Sequence, residues 1–434
     1  MSSQRQPPAL AFAALLGLAG CALILTGCAS GGGPSGVALP GSARGNAVSA
    51  VNAPEVTARQ VMVTLRTAPP FVWTQTTREI ELNYRLRTVA AWTMDALGER
   101  CIIYGIEANR SAAQVVRQLT GDPRVGTVQV IQTFETLAES PAPAAPPPAS
   151  GAYSRLQRWA EMLHLTSAHR LATGRGVRVA VVDTGVDVGH PDLKNRIKQA
   201  TDFVHGNQPF TSDIHGTAVA GTIAADESEG RVVGVAPEAE IFAFKACWPQ
   251  PPGSRQAVCN SYTLALAINQ AIVERAQVMN LSLAGPDDPL LGRLLKNAMA
   301  RGITVVAAEA PAGGKGSFPA SLDGVIGVVA ADLDGGLRAP ASARSRLAAP
   351  GVDVLSTAPN NSYDFFTGSS FAAAEVSGIA ALLLEHNPKL TPAQVRETLL
   401  KSARPIRTQP GDPDPDVGLV DACAAVAHLA GGTC

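Results

Sequence analysis

From about Tyr153 onward the chain alternates short apolar runs with helical stretches, and this order limits its fold more than any other feature. VRVAVV, IFAFKA, VMNLSL, ITVVAA and VIGVVAA are strands with no polar face, so each must be covered on both sides. Helical segments follow His215, run from about Tyr262 to Arg275 and on to Ala300, and close the chain as a pair. Apolar strands joined through helices pair in parallel, because a parallel neighbour needs a crossover. The expected fold class is α/β, an open, mostly parallel sheet with helices on both faces. Thr391, Pro392 and Gln394 mark the start of a late helix by capping residue and first-turn proline. No internal repeat is visible.

Upstream, residues 59–137 read differently. A short strand (VMVTL) leads through a stretch of mixed alternating and helical character to a second strand (CIIYGI), a helix and a third strand (VGTVQVIQTF). Ser111 with Gln114 forms a capping-box signature for that helix. This predicts a small α+β domain. Residues 138–152 hold PAPAAPPPAS, a stiff Pro/Ala-rich linker, and residues 153–434 form the larger domain.

The first 27 residues carry Arg5, an uncharged apolar run from Pro8 to Leu25 and the ending LTGC, the layout of a secretory signal. That ending resembles the bacterial lipoprotein box, which implies lipidation of Cys28, a membrane anchor of several acyl chains and, with Ala29 next, sorting to the outer membrane. Residues 28–58 are then a flexible Gly/Ser/Pro-rich tether. Export to an oxidising compartment allows disulfides. Cys247 and Cys259 flank PQPPGS, and Cys423 and Cys434 lie near the C-terminus, so each pair is expected to close a short loop, although four cysteines permit three connectivities. Cys101, inside CIIYGI, is expected to be a buried free thiol. With 35 basic and 36 acidic side chains, no net field favours nucleic acid, and no nucleic-acid partner is expected. A monomer is expected.

In an open α/β sheet, ligands bind at the carboxyl ends of the strands. Asp183 closes VRVAVVD there, before Thr184 and Gly185. His215 stands at a helix start in DIHGTAVAG, where backbone dipoles disfavour an imidazolium unless an anion is near. Ser370 opens the helix of GSSFAAAEVSG behind Gly368, beside unpaired N–H groups suited to negative charge. Each has a structural reading alone: a turn aspartate, a core histidine, an N-cap serine.

Together, in the order Asp, His, Ser, these motifs and MNLSLAG resemble the subtilisin-like serine peptidases over about Gly174 to Ala403. The resemblance implies a subtilisin-like sheet, preceded in residues 59–137 by a ferredoxin-like prodomain that acts as folding chaperone and inhibitor. It implies peptide-bond hydrolysis through an acyl-enzyme on a peptide or protein substrate. Ser370 would be nucleophile, His215 general base and Asp183 its orienting anion. Ser282, Leu283 and Ala284 would pair with extended substrate, with Ala310 in the same pocket. No cofactor is required; a structural calcium ion is compatible with the resemblance, with no ligands named.

The sequence also departs from the family. Pro311 stands where an asparagine side chain usually holds the oxyanion, and proline offers no donor. That leaves the backbone N–H of Ser370. Loss of this donor in a subtilisin costs about 2.7–4 kcal/mol, roughly 10² to 10³ in turnover, so reduced activity is expected, with Lys315 or Ser317 as partial substitutes. Ala284 and Ala310 replace pocket glycines and predict a preference for a small residue before the cut. Ala218, Ala374 and Glu375 replace a histidine, a proline and a histidine. The rival from another class is a catalytically silent lipoprotein that binds peptides in the old cleft. An aspartic peptidase, suggested by VVDTG, would need a second such carboxylate motif that the chain lacks.

Overall fold

The computed structural model describes residues 59–107, 109–139, 153–205, 210–226, 231–311, 316–338, 347–406 and 417–434. The leader, the tether, Cys28, most of the linker and Lys315 lie outside them.

The first domain is a βαββαβ unit: β1 (Gln60–Leu65), α1 (Pro70–Tyr84), β2 (Leu86–Met94), β3 (Glu99–Ile106), α2 (Ala112–Thr120) and β4 (Val125–Val130). Its antiparallel sheet has the order β2-β3-β1-β4, the ferredoxin-like arrangement. The α2 start follows its sequence signature, since Ser111 and Gln114 exchange both capping-box hydrogen bonds. One sheet face packs on α1 and α2 through Val61, Val63, Ile80, Ile102, Tyr104, Val115 and Leu119. The other carries Met62, Trp92, Met94, Cys101 and Ile103 and packs on the second domain.

One expectation needs correction. VGTVQVIQTF is two strands, because after β4 the chain leaves the first sheet and Thr133–Thr136 forms β5 in another. Period-two alternation sets which face a side chain occupies but not which strand lies alongside.

After the short helices α3 (Arg158–Met162) and α4 (Leu165–Ala168), the second domain runs β6 (Arg178–Asp183), β7 (Ile197–Asp202), α5 (Ile214–Ala224), β8 (Glu240–Lys245), β9 (Cys247–Pro249), β10 (Ala257–Asn260), α6 (Ser261–Val273), β11 (Val278–Leu281) and β12 (Leu283–Ala284). It continues through α7 (Pro289–Ala300), β13 (Thr304–Ala308), β14 (Ile326–Ala331), β15 (Leu347–Pro350), the hairpin β16 (Val354–Ala358) and β17 (Ser362–Phe366), α8 (Ser369–His386), α9 (Pro392–Ser402), β18 (Arg404–Pro405), β19 (Gly418–Leu419) and α10 (Ala422–Ala430). The main sheet has nine strands in the order β18-β19-β15-β14-β13-β11-β6-β8-β7, parallel except at β18. Helices cover both faces: α5 and α8 share one core with the sheet, and α6 and α7 share the other.

The two domains meet at α6 and α7. Trp92 packs edge-on against Tyr262, with ring centroids 5.0 Å apart. Arg293 of α7 grips Glu99 at 2.6 Å and also donates to Thr127 at 2.8 Å. Gln129 donates to Asp288 at 2.7 Å and accepts from the Leu290 N–H at 3.0 Å.

Candidate active site

The chain turns from β6 toward β8 and β7 on one side and from β11 toward β13 on the other, so the carboxyl ends of β6 and β11 flank the switch point of the sheet. Asp183 is the last residue of β6, and Ser282 follows the last residue of β11. His215 lies in the first turn of α5. Asp213, the residue before that helix, does not cap it; its Oδ2 instead accepts from the Gly185 N–H at 2.8 Å and from Lys245 Nζ. This buried ion pair ties the turn after Asp183 to the start of the histidine helix.

Asp183 and His215 are joined. Nδ1 of His215 lies 2.6 Å from Asp183 Oδ1, both side chains are almost fully buried, and the Thr184 N–H donates to the same oxygen at 2.6 Å. The bond holds the imidazole with Nε2 available, and that nitrogen has no hydrogen-bond partner.

Ser370 is the second residue of α8, behind Gly368, whose φ of 145° suits glycine. The ring of Phe371 next to it stands 5.7 Å from that of His215. The Ser370 hydroxyl is not bonded to His215. It donates to the Ser282 carbonyl at 3.0 Å and accepts from the Leu137 N–H at 3.1 Å. Ser282 Oγ donates in turn to the Ser370 carbonyl at 2.8 Å, and Asn280 and Ser377 complete the chain of bonds at 2.9 Å each. This buried network fixes the start of α8 against the end of β11.

What sequence reasoning missed is the occupant of the cleft. β5 lies between β12 and β10, antiparallel to both, with Glu135 opposite Ala284 and Val258 and Thr136 opposite Leu283. Leu137 follows, its carbonyl 3.4 Å from the Ser370 backbone nitrogen. A Cβ at Gly368 would come within 2.1 Å of that same carbonyl oxygen, so glycine leaves it room. The Glu139 N–H then donates to the Thr367 carbonyl at 2.8 Å. Residues 133–139 thus run through the cleft with the Leu137–Ala138 peptide bond laid across Ser370. The available signal was position: this segment directly precedes the proline-rich linker.

Ala284, Ala310 and Pro311 line one cavity of about 670 Å³ together with Leu137 and Gly316. Leu137 lines this cavity beside the two alanines that stand at the usual glycine positions. The Ser317 hydroxyl, proposed as a substitute donor, makes no hydrogen bond among the described residues. Both expected disulfides are present, Cys247 with Cys259 and Cys423 with Cys434, and Cys101 is a buried free thiol. His164, Asp421 and Cys434 lie close enough to suggest a metal site, but Cys434 is in a disulfide and Asp421 caps α10 while pairing with Arg404.

Residues 174–420 match the sequence profile described as the Subtilase family, more than half of the chain. The chain belongs to that family of serine proteases. The major intracellular serine protease of Bacillus subtilis (strain 168) is 37% identical over 256 residues, covering 54% of this chain and 77% of that protein. Subtilisin E of the same organism is 34% identical over 300 residues, covering 67% of this chain and 73% of the other. The crystal structure of fervidolysin from Fervidobacterium pennivorans, described as a keratinolytic enzyme related to subtilisin, superposes with a TM-score of 0.67 at 25% identity over 86% of this chain. The chain spans 61% of fervidolysin's length. The fold of this subtilase is accordingly subtilisin-like.

Proposed function

We propose that this subtilase is a serine endopeptidase using Asp183, His215 and Ser370, and that its first substrate is its own Leu137–Ala138 bond. One observation carries the reading: residues 133–139 lie in the cleft as an added strand, with the Leu137 carbonyl at the Ser370 N–H. In the reaction the Ser370 hydroxyl turns from the Ser282 carbonyl to His215 Nε2, which takes its proton as the oxygen attacks the Leu137 carbonyl carbon. Asp183 holds the imidazolium that forms. Negative charge on the carbonyl oxygen meets the Ser370 N–H at the start of α8. His215 then gives its proton to the departing Ala138 nitrogen, and water releases Leu137 from the acyl-enzyme with His215 as base again.

In this reading the first domain is both folding partner and inhibitor. Its sheet braces α6 and α7, and its last strand fills the site that other substrates need. The second reading, a silent peptide-binding cleft, is favoured by Pro311 and by the Ser370 hydroxyl lying on Ser282 rather than on His215. Labelling of the full chain with a fluorophosphonate separates the two, because only an activated serine reacts. The wild-type chain should label and Ser370→Ala should not; no labelling of the wild type together with no self-cleavage would favour the silent cleft.

We also propose that the protein is exported and lipid-anchored to the cell envelope at Cys28. The LTGC sequence supports this, and the two disulfides fit an oxidising compartment. Mass spectrometry of the membrane-associated protein should find an acylated Cys28 as N-terminus.

A further inference from the structure

The segment in the cleft shows how one of its side chains is read. Thr136, the second residue before the Leu137–Ala138 bond, is buried, and its Oγ1 accepts from the Ala257 N–H at 3.0 Å and donates to the Ala257 carbonyl at 3.4 Å. A hydroxyl is the side-chain group that both accepts and donates in so small a volume. Valine has the shape of threonine but leaves the Ala257 N–H facing a methyl group where water is excluded, and alanine leaves a gap.

The reading group is firmly placed. Ala257 is almost fully buried at the start of β10, opposite Pro249 of β9. Two residues on, Cys259 is bonded to Cys247, its partner across the same hairpin. The polar groups facing Thr136 therefore belong to a wall, β10, pinned covalently to β9, which limits their freedom to find other partners.

We propose that the cleft selects substrates with threonine or serine two positions before the cut, recognised by the main chain of Ala257. Leucine follows at the cut itself, facing the pocket of Ala284 and Ala310. The substrate class is thus an extended peptide carrying a hydroxyl residue and then a medium apolar residue. This rests on the protease reading above, and it concerns which peptides are cut rather than whether any are.

Two measurements test it. The first compares quenched peptides in the frame Phe-Glu-Thr-Leu-Ala-Glu that differ only at the threonine, using the full chain after self-cleavage at peptide concentrations that compete residues 133–137 out of the cleft. The threonine and serine peptides should exceed the valine peptide in kcat/KM by about tenfold, the scale of one hydrogen bond plus a stranded buried donor. Threonine and valine peptides cut within twofold of each other would overturn the proposal. The second is independent of catalysis: native-state hydrogen exchange at the Ala257 amide in the full chain carrying Ser370→Ala. Adding Thr136→Val should speed exchange there by about tenfold, and adding Thr136→Ser should not. Unchanged exchange in the valine variant would overturn the proposal. If the wild-type chain cuts neither itself nor any peptide but the exchange result holds, the protease reading fails while the hydroxyl-reading wall stands.

Discussion

Pro311 has neither an N–H nor a side-chain donor, so the Leu137 carbonyl has the Ser370 N–H as its donor among the described residues. With Lys315 or Ser317 partly replacing the missing donor, Pro311→Asn should raise kcat less than about tenfold, and a gain of about 10², the scale of this donor in a subtilisin, would contradict the compensation. Glu375 makes a different prediction. It is fully buried inside α8, neither carboxyl oxygen has a hydrogen-bond partner, and burial pushes its pKa well above the usual 4.5. The folded state then binds this proton more tightly than the unfolded state, so the contribution to stability is intact below about pH 4.5 and falls as pH rises toward the folded pKa. The slope is about 1.4 kcal/mol per pH unit. In a Ser370→Ala background, Glu375→Gln should remove this slope, giving an advantage over Glu375 in urea unfolding that is larger at pH 7 than at pH 5; equal shifts at both would contradict it. At this scale much was legible. Asp183 and His215 announce themselves as a strand end and a helix start, but the hydroxyl's partners depend on Leu137, 233 residues away in sequence.

Among the elements, α2, α9 and the apolar strands follow directly from local signals, because caps and hydrophobic runs act over a few residues. β5 does not. Its alternation continues from β4 almost without a break, and its change of sheet is decided by β10 and β12, which lie far along the chain. The same limit applies to the β9–β10 hairpin: its cysteine pair was visible in the sequence, its use as a wall of the cleft was not. Replacing both Cys247 and Cys259 by alanine should cost about 3 kcal/mol of unfolding free energy, from restored freedom of a 12-residue loop. Chemical denaturation of the Ser370→Ala chain with and without the pair checks this; a loss below about 1 kcal/mol would mean that β-pairing alone holds the wall.

For the whole molecule, the change from a small antiparallel sheet to a large, mostly parallel one was legible, since the two periodicities differ. The mutual fit of the two parts was not. It rests on matching surfaces, with Arg293 against Glu99, Gln129 against Asp288 and Trp92 against Tyr262, and pairs so distant in sequence leave no local trace. This interface holds the first domain in place, and β5 carries its end into the cleft. Cutting after Leu137 would leave the bracing contacts intact while freeing the residues beyond it. The most direct test is therefore to map chain termini by mass spectrometry in the purified wild-type protein and in Ser370→Ala. A new N-terminus at Ala138 in the wild type, absent from the variant, is the expected result. An uncut wild-type chain, or a cut at Ala138 that persists without Ser370, would contradict the assignment of residues 133–139 as substrate of their own cleft.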